Sequence, residues 1–362
     1  MPIYRHGLFN VKVIMLIFLI KRLGLMVLTS ICLTFVVFFL TNLEPNLKKL
    51  AKTEANNRMS EAEVSSWLDR HGYHQNVFIR YGEWLGVVPG WTFTNNDGSQ
   101  ITRCGYLADD EGNFPRFCGV FQGKLGYTTL FQGRVEEIIF KRLELTGKLM
   151  AFVMLLMVPA ALVIGILAGM REGSRTDRSL STFSIVSTAT PEYVSGVVFI
   201  SIFASAAFGL KWFNGTATSA MDDATFTNFT LPVVTIALYG VGYIARMTRA
   251  SMTEVMTAQY IRTARLKGLS FPKIVLKHAL RNALIAPFTV IMLQFPWLLT
   301  GVVIVETLFN YKGFGWTLIQ AAGNNDIELL LSCSIVAVLV VLVTQLISDI
   351  GYVFLNPKIR VT

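Results

Sequence analysis

The sequence predicts an all-α, polytopic membrane protein with six transmembrane helices, and two observations carry this prediction. The 362 residues are 53% hydrophobic and only 15% charged, whereas a soluble protein of this size carries about a quarter charged residues. Apolar runs of membrane-spanning length recur along the chain, and the short loops between them alternate between basic and nearly free of basic residues. The formal charge of +9 lies mostly beside these runs, so it indicates orientation in the membrane and not binding to nucleic acid.

The chain begins with an extension, residues 1–16, which we interpret as an interfacial helix or as an artefact of the start site. The first span is predicted over 17–43. Lys21 and Arg22 place its N-terminal side in the cytoplasm, because basic residues near span ends are retained there. A cleaved signal peptide is the alternative, but the apolar run is too long and no small-x-small cleavage site follows it.

A soluble region, residues 44–145, follows on the outer side of the membrane, and we expect both helices and strands in it. Ser60 and Glu63 have the spacing of a capping box at the start of a helix. The run Asn95–Gly98 is a candidate hairpin turn between two short β-prone stretches.

Two of the four cysteines, Cys104 and Cys118, fall in this outer region. In an oxidising compartment we expect them to form a disulfide, with two free or buried thiols as the alternative. The sequence has no CxxC pair, and the four histidines show no ligand spacing with the cysteines, so no metal site is expected. It has no P-loop sequence either, so we expect no ATP hydrolysis by this chain.

Five further apolar runs belong to a membrane-embedded core, residues 146–356. They are predicted as spans over 146–170, 183–208, 231–245, 285–308 and 329–355. With six spans both termini lie in the cytoplasm, where the tail, 357–362, ends. The short inner loops are basic, whereas the only basic residues of the two short outer loops are Lys211 and Lys312.

One carboxylate is predicted deep in the membrane. Glu192 follows Pro191 and precedes Tyr193 within the third span. A charged side chain at this depth is costly, so by default it faces a water-filled path or a partner, and carbonyls freed by the proline can line a cavity. We therefore expect Pro191, Glu192 and Tyr193 on a path through the membrane. A glutamate paired within the bundle or near an interface is the alternative.

The most patterned part of the chain is the basic loop 246–284 between the fourth and fifth spans. Glu254 is its only carboxylate, and its cations are Arg246, Arg249, Arg262, Arg265, Lys267, Lys273, Lys277 and Arg281. Apolar residues recur at helical spacing up to Ala264, Gly268 can take a positive φ, and Ser270 is an N-cap candidate for a second helix. This predicts a helix–Gly–helix protrusion on which a soluble partner docks. A basic loop that only sets topology is the alternative.

The run Arg262–Leu269, with Arg246–Met252 before it and His278–Leu284 after it, resembles the coupling loop of ABC importer permeases of the oligopeptide/dipeptide/nickel class. The resemblance implies the type I importer permease fold. It also implies that the short helix around Ala264 sits in a groove of a cytoplasmic ATPase subunit, where small residues such as Ala264 and Gly268 allow close backbone approach. The residues implied in this coupling are Tyr260, Arg262, Thr263, Ala264, Arg265, Leu266, Lys267, Gly268 and Leu269.

The resemblance covers most of residues 17–362 and leaves 86–118 as an insertion whose role it does not explain. It includes the stretch that begins at Glu306 and a C-terminal signature. We expect Glu306 to bond backbone N–H groups of the turn that follows it, with substrate binding as the alternative. Structural roles are expected for Glu306, Gly313, Gly315 and Asp349.

We interpret the sequence as the permease subunit of an ATP-driven importer in a bacterial inner membrane, with no catalysis of its own. Besides membrane lipid, the resemblance implies three kinds of partner: a second homologous permease, two ABC ATPase subunits that carry ATP and Mg²⁺, and an extracytoplasmic solute-binding protein. No cofactor is expected in this chain. Peptides are the expected solutes, with oligosaccharides, opines or metal complexes as alternatives. A secondary transporter is a more distant alternative, because the sequence has no convincing internal repeat.

Overall fold

The computed structural model describes residues 3–95, 98–205 and 210–355, and it is dominated by helices. The α-helices are α1 (Ile3–Thr41), α2 (Glu44–Glu54), α3 (Glu61–Arg70), α4 (Val77–Leu85), α5 (Val135–Gly169), α6 (Arg175–Ala189), α7 (Glu192–Phe199), α8 (Phe226–Thr257), α9 (Gln259–Leu266), α10 (Phe271–Ile274), α11 (Leu280–Ala283), α12 (Ile285–Leu308), α13 (Phe314–Gly323) and α14 (Ile327–Leu355). Short π-helical turns follow α7 and α10, at Ile200–Ala204 and Val275–Ala279. Two antiparallel hairpins pair β1 (Thr92–Thr94) with β2 (Gln100–Thr102) and β3 (Tyr127–Thr128) with β4 (Gly133–Arg134).

The described residues contain up to six candidate membrane spans if each bent helix pair counts as one. Four helices are long and apolar enough to cross a bilayer, and these are Leu19–Thr41, Val135–Gly169, Phe226–Thr257 and Ile327–Gly351. Two pairs pass the same test together: Arg175–Ala189 with Glu192–Ala204, bent by 104°, and Phe271–Ala283 with Ile285–Leu298, bent by 51°. The all-α membrane fold predicted from the sequence is confirmed, but two of its spans are broken.

The third predicted span, 183–208, is not one continuous helix. α6 ends at Ala189, Thr190 is extended, and α7 begins only after Pro191. The reason is that proline lacks a backbone N–H and its ring clashes with the preceding helical turn. The final residues of this predicted span, the two central residues of the predicted outer hairpin turn and the tail, 357–362, lie outside the described residues.

Two other helices are longer than the sequence predicted. α5 begins at Val135, well before the predicted start at 146. α8 runs to Thr257 and passes the predicted end at 245, so the first part of the predicted loop is the end of α8. Apolarity alone marks only the part of a helix that lies in lipid, whereas hydrogen bonding carries the helix on into water.

The chain divides into two compact units, and the smaller comprises residues 23–144 and 317–339. Its core is rich in aromatic residues and includes Phe38, Trp67, Tyr81, Trp84, Ile327 and Leu331. α3 begins with the predicted capping box: the Glu63 N–H donates to Ser60 Oγ (3.4 Å), and the Ser60 N–H donates to the Glu63 carboxylate (2.7 Å).

The insertion, residues 86–118, lies within this smaller unit and contains a β-hairpin followed by a disulfide. β1 and β2 pair in the register Phe93 opposite Ile101. Cys104 and Cys118 are joined in a disulfide, with their Cα atoms 5.7 Å apart. Next to it, Arg103 donates to both carboxylate oxygens of Glu328 at the start of α14, at 2.9 and 3.1 Å. A small lobe with little apolar core is thus held by a covalent link and a bidentate ion pair.

The larger unit comprises residues 1–22, 145–316 and 340–362. Its core lies among α5, α8 and α12, and its fully buried members include Leu149, Met157, Ile236, Ile244, Leu298 and Phe309. α8 is the central helix of this unit, because α6, α7, α11 and α12 all pack on it.

Glu306 is fully buried near the end of α12, and it holds the turn that follows. It accepts hydrogen bonds from the Thr146 hydroxyl and from the Trp316 N–H (2.9 Å), and Thr146 Oγ1 in turn accepts from the Phe314 N–H (2.8 Å). A Cβ atom on Gly313 would lie 2.2 Å from Glu306 Oε1, so only glycine fits there. These contacts give Glu306 and Gly313 a structural role.

Gly315 and Asp349 also make packing contacts within the larger unit. A Cβ atom on Gly315 would lie 2.7 Å from Val303 Cα, so the start of α13 passes close to α12. Asp349 on α14 forms an ion pair with Arg22 on α1.

Candidate functional site

The basic segment after α8 folds into a compact set of short helices, residues 258–284, which we call the knuckle. It begins where Ala258 leaves helical geometry with ψ 148° between α8 and α9. Ser270 occupies the N-cap position of α10 as predicted, with a proline in the first turn, although its described side chain makes no capping hydrogen bond. The π-helical turn and α11 then lead into α12.

Gly268 closes α9 in the way that the sequence predicted. Its φ is +77°. The Gly268 N–H donates to Arg265 O (3.0 Å), and the Leu269 N–H donates to Ala264 O (3.3 Å). This pair of bonds is a Schellman motif, which satisfies the last carbonyls of a helix and favours glycine at the left-handed position.

The knuckle has a small apolar core. Its buried members, together with the end of α8, are Met252, Met256, Ile261, Ala264, Ile274, Val275, Ala279 and Ala283. From α9 the core receives Ile261, which is fully buried, and Ala264, which is 6% exposed. We expected the small Ala264 side chain to meet a partner. It lies instead against the chain's own core, where its size lets α9 pack closely on neighbouring helices.

The outer surface of the knuckle combines exposed apolar and basic side chains. Leu266 is 82% exposed, Leu276 69% and Tyr260 42%. The exposed cations of the knuckle are Arg262, Arg265, Lys267, Lys273, Lys277 and Arg281. Large apolar side chains that remain exposed on an ordered, otherwise polar surface are typical of a protein-docking site.

Polar contacts connect the knuckle and the adjoining span ends. The Ser251 hydroxyl on α8 donates to Ala283 O (2.8 Å), and Asn282 Nδ2 donates to the Tyr260 hydroxyl (2.9 Å). Beside them, Arg249 on α8 donates to both carboxylate oxygens of Asp177 at the start of α6, at 2.6 and 2.8 Å. The knuckle is thus hydrogen-bonded to α8, and α8 is joined to α6 by this bidentate pair.

The residues predicted on a membrane path lie at the break between α6 and α7 and do not belong to the knuckle. Pro191 is the N-cap residue of α7, Glu192 is its first residue, and Tyr193 is 55% exposed. The Glu192 carboxylate borders α12 beside Gly301. The structure thus separates the predicted residues into a site on the basic loop and a break between α6 and α7.

Sequence reasoning missed several residues of these two sites. Leu276 is exposed in the π-helical turn Val275–Ala279, and its apolar side chain alone does not indicate a surface position. Asp177 was detectable, because it lies three residues after Ser174 in the spacing of a capped helix start, but its pairing with Arg249 needs the fold. Nothing in the sequence points to the stacking of Trp297 on Tyr239, which lie on different helices.

Exposed apolar side chains on a basic loop of a multi-pass helical protein are typical of membrane subunits that work within a larger assembly. The family described as "Binding-protein-dependent transport system inner membrane component" matches residues 161–361, which include the whole knuckle. This chain belongs to that family. It is a multi-pass inner-membrane permease component of an ABC importer, a transport subunit and not an enzyme, and the family implies an ATPase and a binding protein as partners.

Relatives match most of the chain. A probable peptide ABC transporter permease protein of Sinorhizobium fredii is 33% identical over 67% of this chain and 77% of that protein. The di/tripeptide transport system permease protein of Pseudomonas aeruginosa is 29% identical over 96% of this chain and 99% of its own. A crystal structure of an amino acid ABC transporter with histidines aligns with 60% of this chain and 93% of that one, at 17% identity and a TM-score of 0.47.

Proposed function

We propose that this chain is one of two homologous permease subunits that together form the pathway of a peptide importer, and that the knuckle is the point at which an ABC ATPase subunit drives it. Peptides are proposed as solutes because relatives in Sinorhizobium fredii and Pseudomonas aeruginosa are named for them. In this proposal two ATPase subunits bind ATP and Mg²⁺, and an extracytoplasmic binding protein delivers the solute.

The observation that carries the proposal is the exposed apolar surface of an otherwise well-ordered knuckle. A loop that only sets topology needs its charges but no buried core and no defined helix end. This loop has a buried core, which includes Ile261, and its helix α9 has a defined end in the Schellman motif at Gly268. Leu266 and Leu276 nevertheless stay exposed, which supports a protein partner that covers them.

The connections of the knuckle support a mechanical role. A pull on α9 moves the end of α8, since the two share one core. The bidentate pair between Arg249 and Asp177 passes that movement to α6, which ends at the break before Pro191. A broken span is a natural hinge, because its ends can rotate without loss of helical hydrogen bonds. We infer that closure of the ATPase pair opens the pathway by moving α6 against α7.

The proposed orientation has both termini and the knuckle in the cytoplasm, with residues 44–145 outside. The six cations on the knuckle favour the inner side. The disulfide between Cys104 and Cys118 supports the outer position of the insertion, because disulfides persist in oxidising compartments.

The test is reconstitution of this chain with its second permease, the ATPase subunits and the binding protein in proteoliposomes. Uptake of radiolabelled trialanine should need ATP and the binding protein. Leu266→Asp should abolish uptake, whereas Gln259→Asp, an equal charge change at an exposed position on the same helix, should retain most of it. Uptake driven by an ion gradient without ATP would contradict the proposal.

A further inference from the structure

The break between α6 and α7 creates a small space with a distinct composition. A Cβ atom placed on Gly301 of α12 would lie 3.8 Å from Glu192 Oε1 and 3.6 Å from Cζ2 of the Trp297 indole. The carboxylate of α7 and the indole of α12 therefore border the same point, which glycine leaves open. Trp297 is itself backed by Tyr239 of α8, with ring centroids 4.7 Å apart and planes inclined by 20°.

The position of this space in the span is unusual for a carboxylate. Gly242 of α8 faces Ser187 of α6, and Thr235 of α8 faces Gly196 of α7. The break therefore lies beside the part of α8 between residues 235 and 242, within the candidate span Phe226–Thr257. Non-helical backbone at that depth is tolerated where it is buried in protein or lines a water-filled cavity. Glu192 is only partly buried by the protein, which favours a water-filled cavity beside it.

Glu192 has no partner among the described residues. No described cation or hydrogen-bond donor contacts its side chain, in contrast to Asp177, whose carboxylate is fully paired. An unpaired carboxylate in a span is costly to keep unless something that passes through supplies the opposite charge. The neighbouring indole is suited to the same ligand, because the face of a tryptophan ring attracts a cation.

We propose that Glu192, with Trp297 backed by Tyr239, forms a subsite on the translocation path for a primary ammonium group of the solute. This inference rests on the proposed function, since it assigns the chemistry of the same path. On a peptide the ammonium group is either the free N-terminus or a lysine side chain. The carboxylate supplies the charge-assisted bond and the indole the cation–π contact, so the moving ammonium group is not left unpaired when it leaves water.

The experiment uses the complete complex in proteoliposomes and three labelled probes of similar size. Trialanine has an ammonium group at its N-terminus, acetyl-Ala-Lys-Ala has one only on its side chain, and acetyl-trialanine has none. For each probe the ATP-driven uptake rate of Glu192→Gln is divided by that of the wild type. This ratio cancels the preference of the binding protein, which is the same in both.

This ratio should be about 0.1 for a probe with an ammonium group, a tenfold loss of uptake, and about 1 for acetyl-trialanine. A loss for trialanine alone would assign the N-terminus as the ligand, and a loss for acetyl-Ala-Lys-Ala alone would assign the lysine side chain. Gly301→Leu fills the space and should slow every probe. Gly301→Ala is the matched control and should act as wild type, because its Cβ makes only ordinary contacts.

Two results would overturn the inference, and they are distinguishable. If the wild type imports the probes and Glu192→Gln lowers all three equally or none, the ammonium subsite is wrong while the proposed function stands. If the wild type imports no probe with ATP and binding protein present, the proposed function fails and the subsite fails with it.

Discussion

Replacement of Leu266 by alanine should weaken the association of the knuckle with its ATPase subunit and leave this chain folded. The Leu266 side chain is 82% exposed, so it adds little to the stability of the chain alone, and alanine is a better helix former. The substitution removes three carbon atoms worth about 0.8 kcal/mol each on burial, so docking that covers the exposed fraction loses about 2 kcal/mol. At about 1.4 kcal/mol per tenfold step, the dissociation constant should rise roughly 25-fold.

The assay is a titration of the solubilised permease pair with purified ATPase subunit, with bound ATPase measured by fluorescence anisotropy. Leu155→Ala is the matched control, because Leu155 is a similarly exposed leucine, at 73%, on α5 outside the knuckle. It should leave the dissociation constant within about twofold of the wild-type value. Equal affinity of Leu266→Ala and wild type, or an equal loss in both variants, would refute the reasoning.

Three further predictions concern other parts of the chain. Gly268→Asn should retain more peptide uptake per ATP hydrolysed than Gly268→Val, since the site has open space but φ +77°, which asparagine tolerates and β-branched residues do not. Removal of the disulfide by Cys104→Ala with Cys118→Ala should destabilise the smaller unit by roughly 3 kcal/mol in denaturant titrations, because a loop of about 15 residues is no longer closed. Burial raises the pKa of Glu83 to about 7 against an ordinary 4.5, with Arg103 and Arg80 partly offsetting it. The stability linked to this group is therefore complete below pH 4.5 and lost as the pH rises through 7, so Glu83→Gln should raise Tm at pH 8 more than at pH 5.

The fold class and the closure of the knuckle were predictable from the sequence because they depend on local chemistry. Runs of apolar residues marked the spans, and the capping box at Ser60 and the positive φ at Gly268 follow from residue types at fixed offsets. The structural role of Glu306 was predictable in part, because the Trp316 N–H that it accepts from belongs to the turn that follows it, whereas its bond with the distant Thr146 needs the fold.

What the sequence did not predict depends on packing between distant elements. Pro191 indicated a kink, but only the surrounding helices determine that it becomes a bend of 104°. Ala264 was expected to allow close approach of a partner, and it packs instead in the knuckle core, because periodicity does not say which neighbours a helix will meet. Leu276 is exposed within a π-helical turn that no residue type specifies.

The central claim is that an ATPase subunit binds the knuckle. Site-specific crosslinking from residue 266 in native membranes tests this claim most directly. Leu266→Cys would be introduced together with Cys32→Ser, since Cys32 is exposed and Cys333 is buried. A maleimide–benzophenone reagent attached at position 266 should photocrosslink to the ATPase subunit, and an impermeant maleimide should label this position only from the cytoplasmic side. Labelling from outside, or no crosslink in a complex that still imports peptide, would contradict the account.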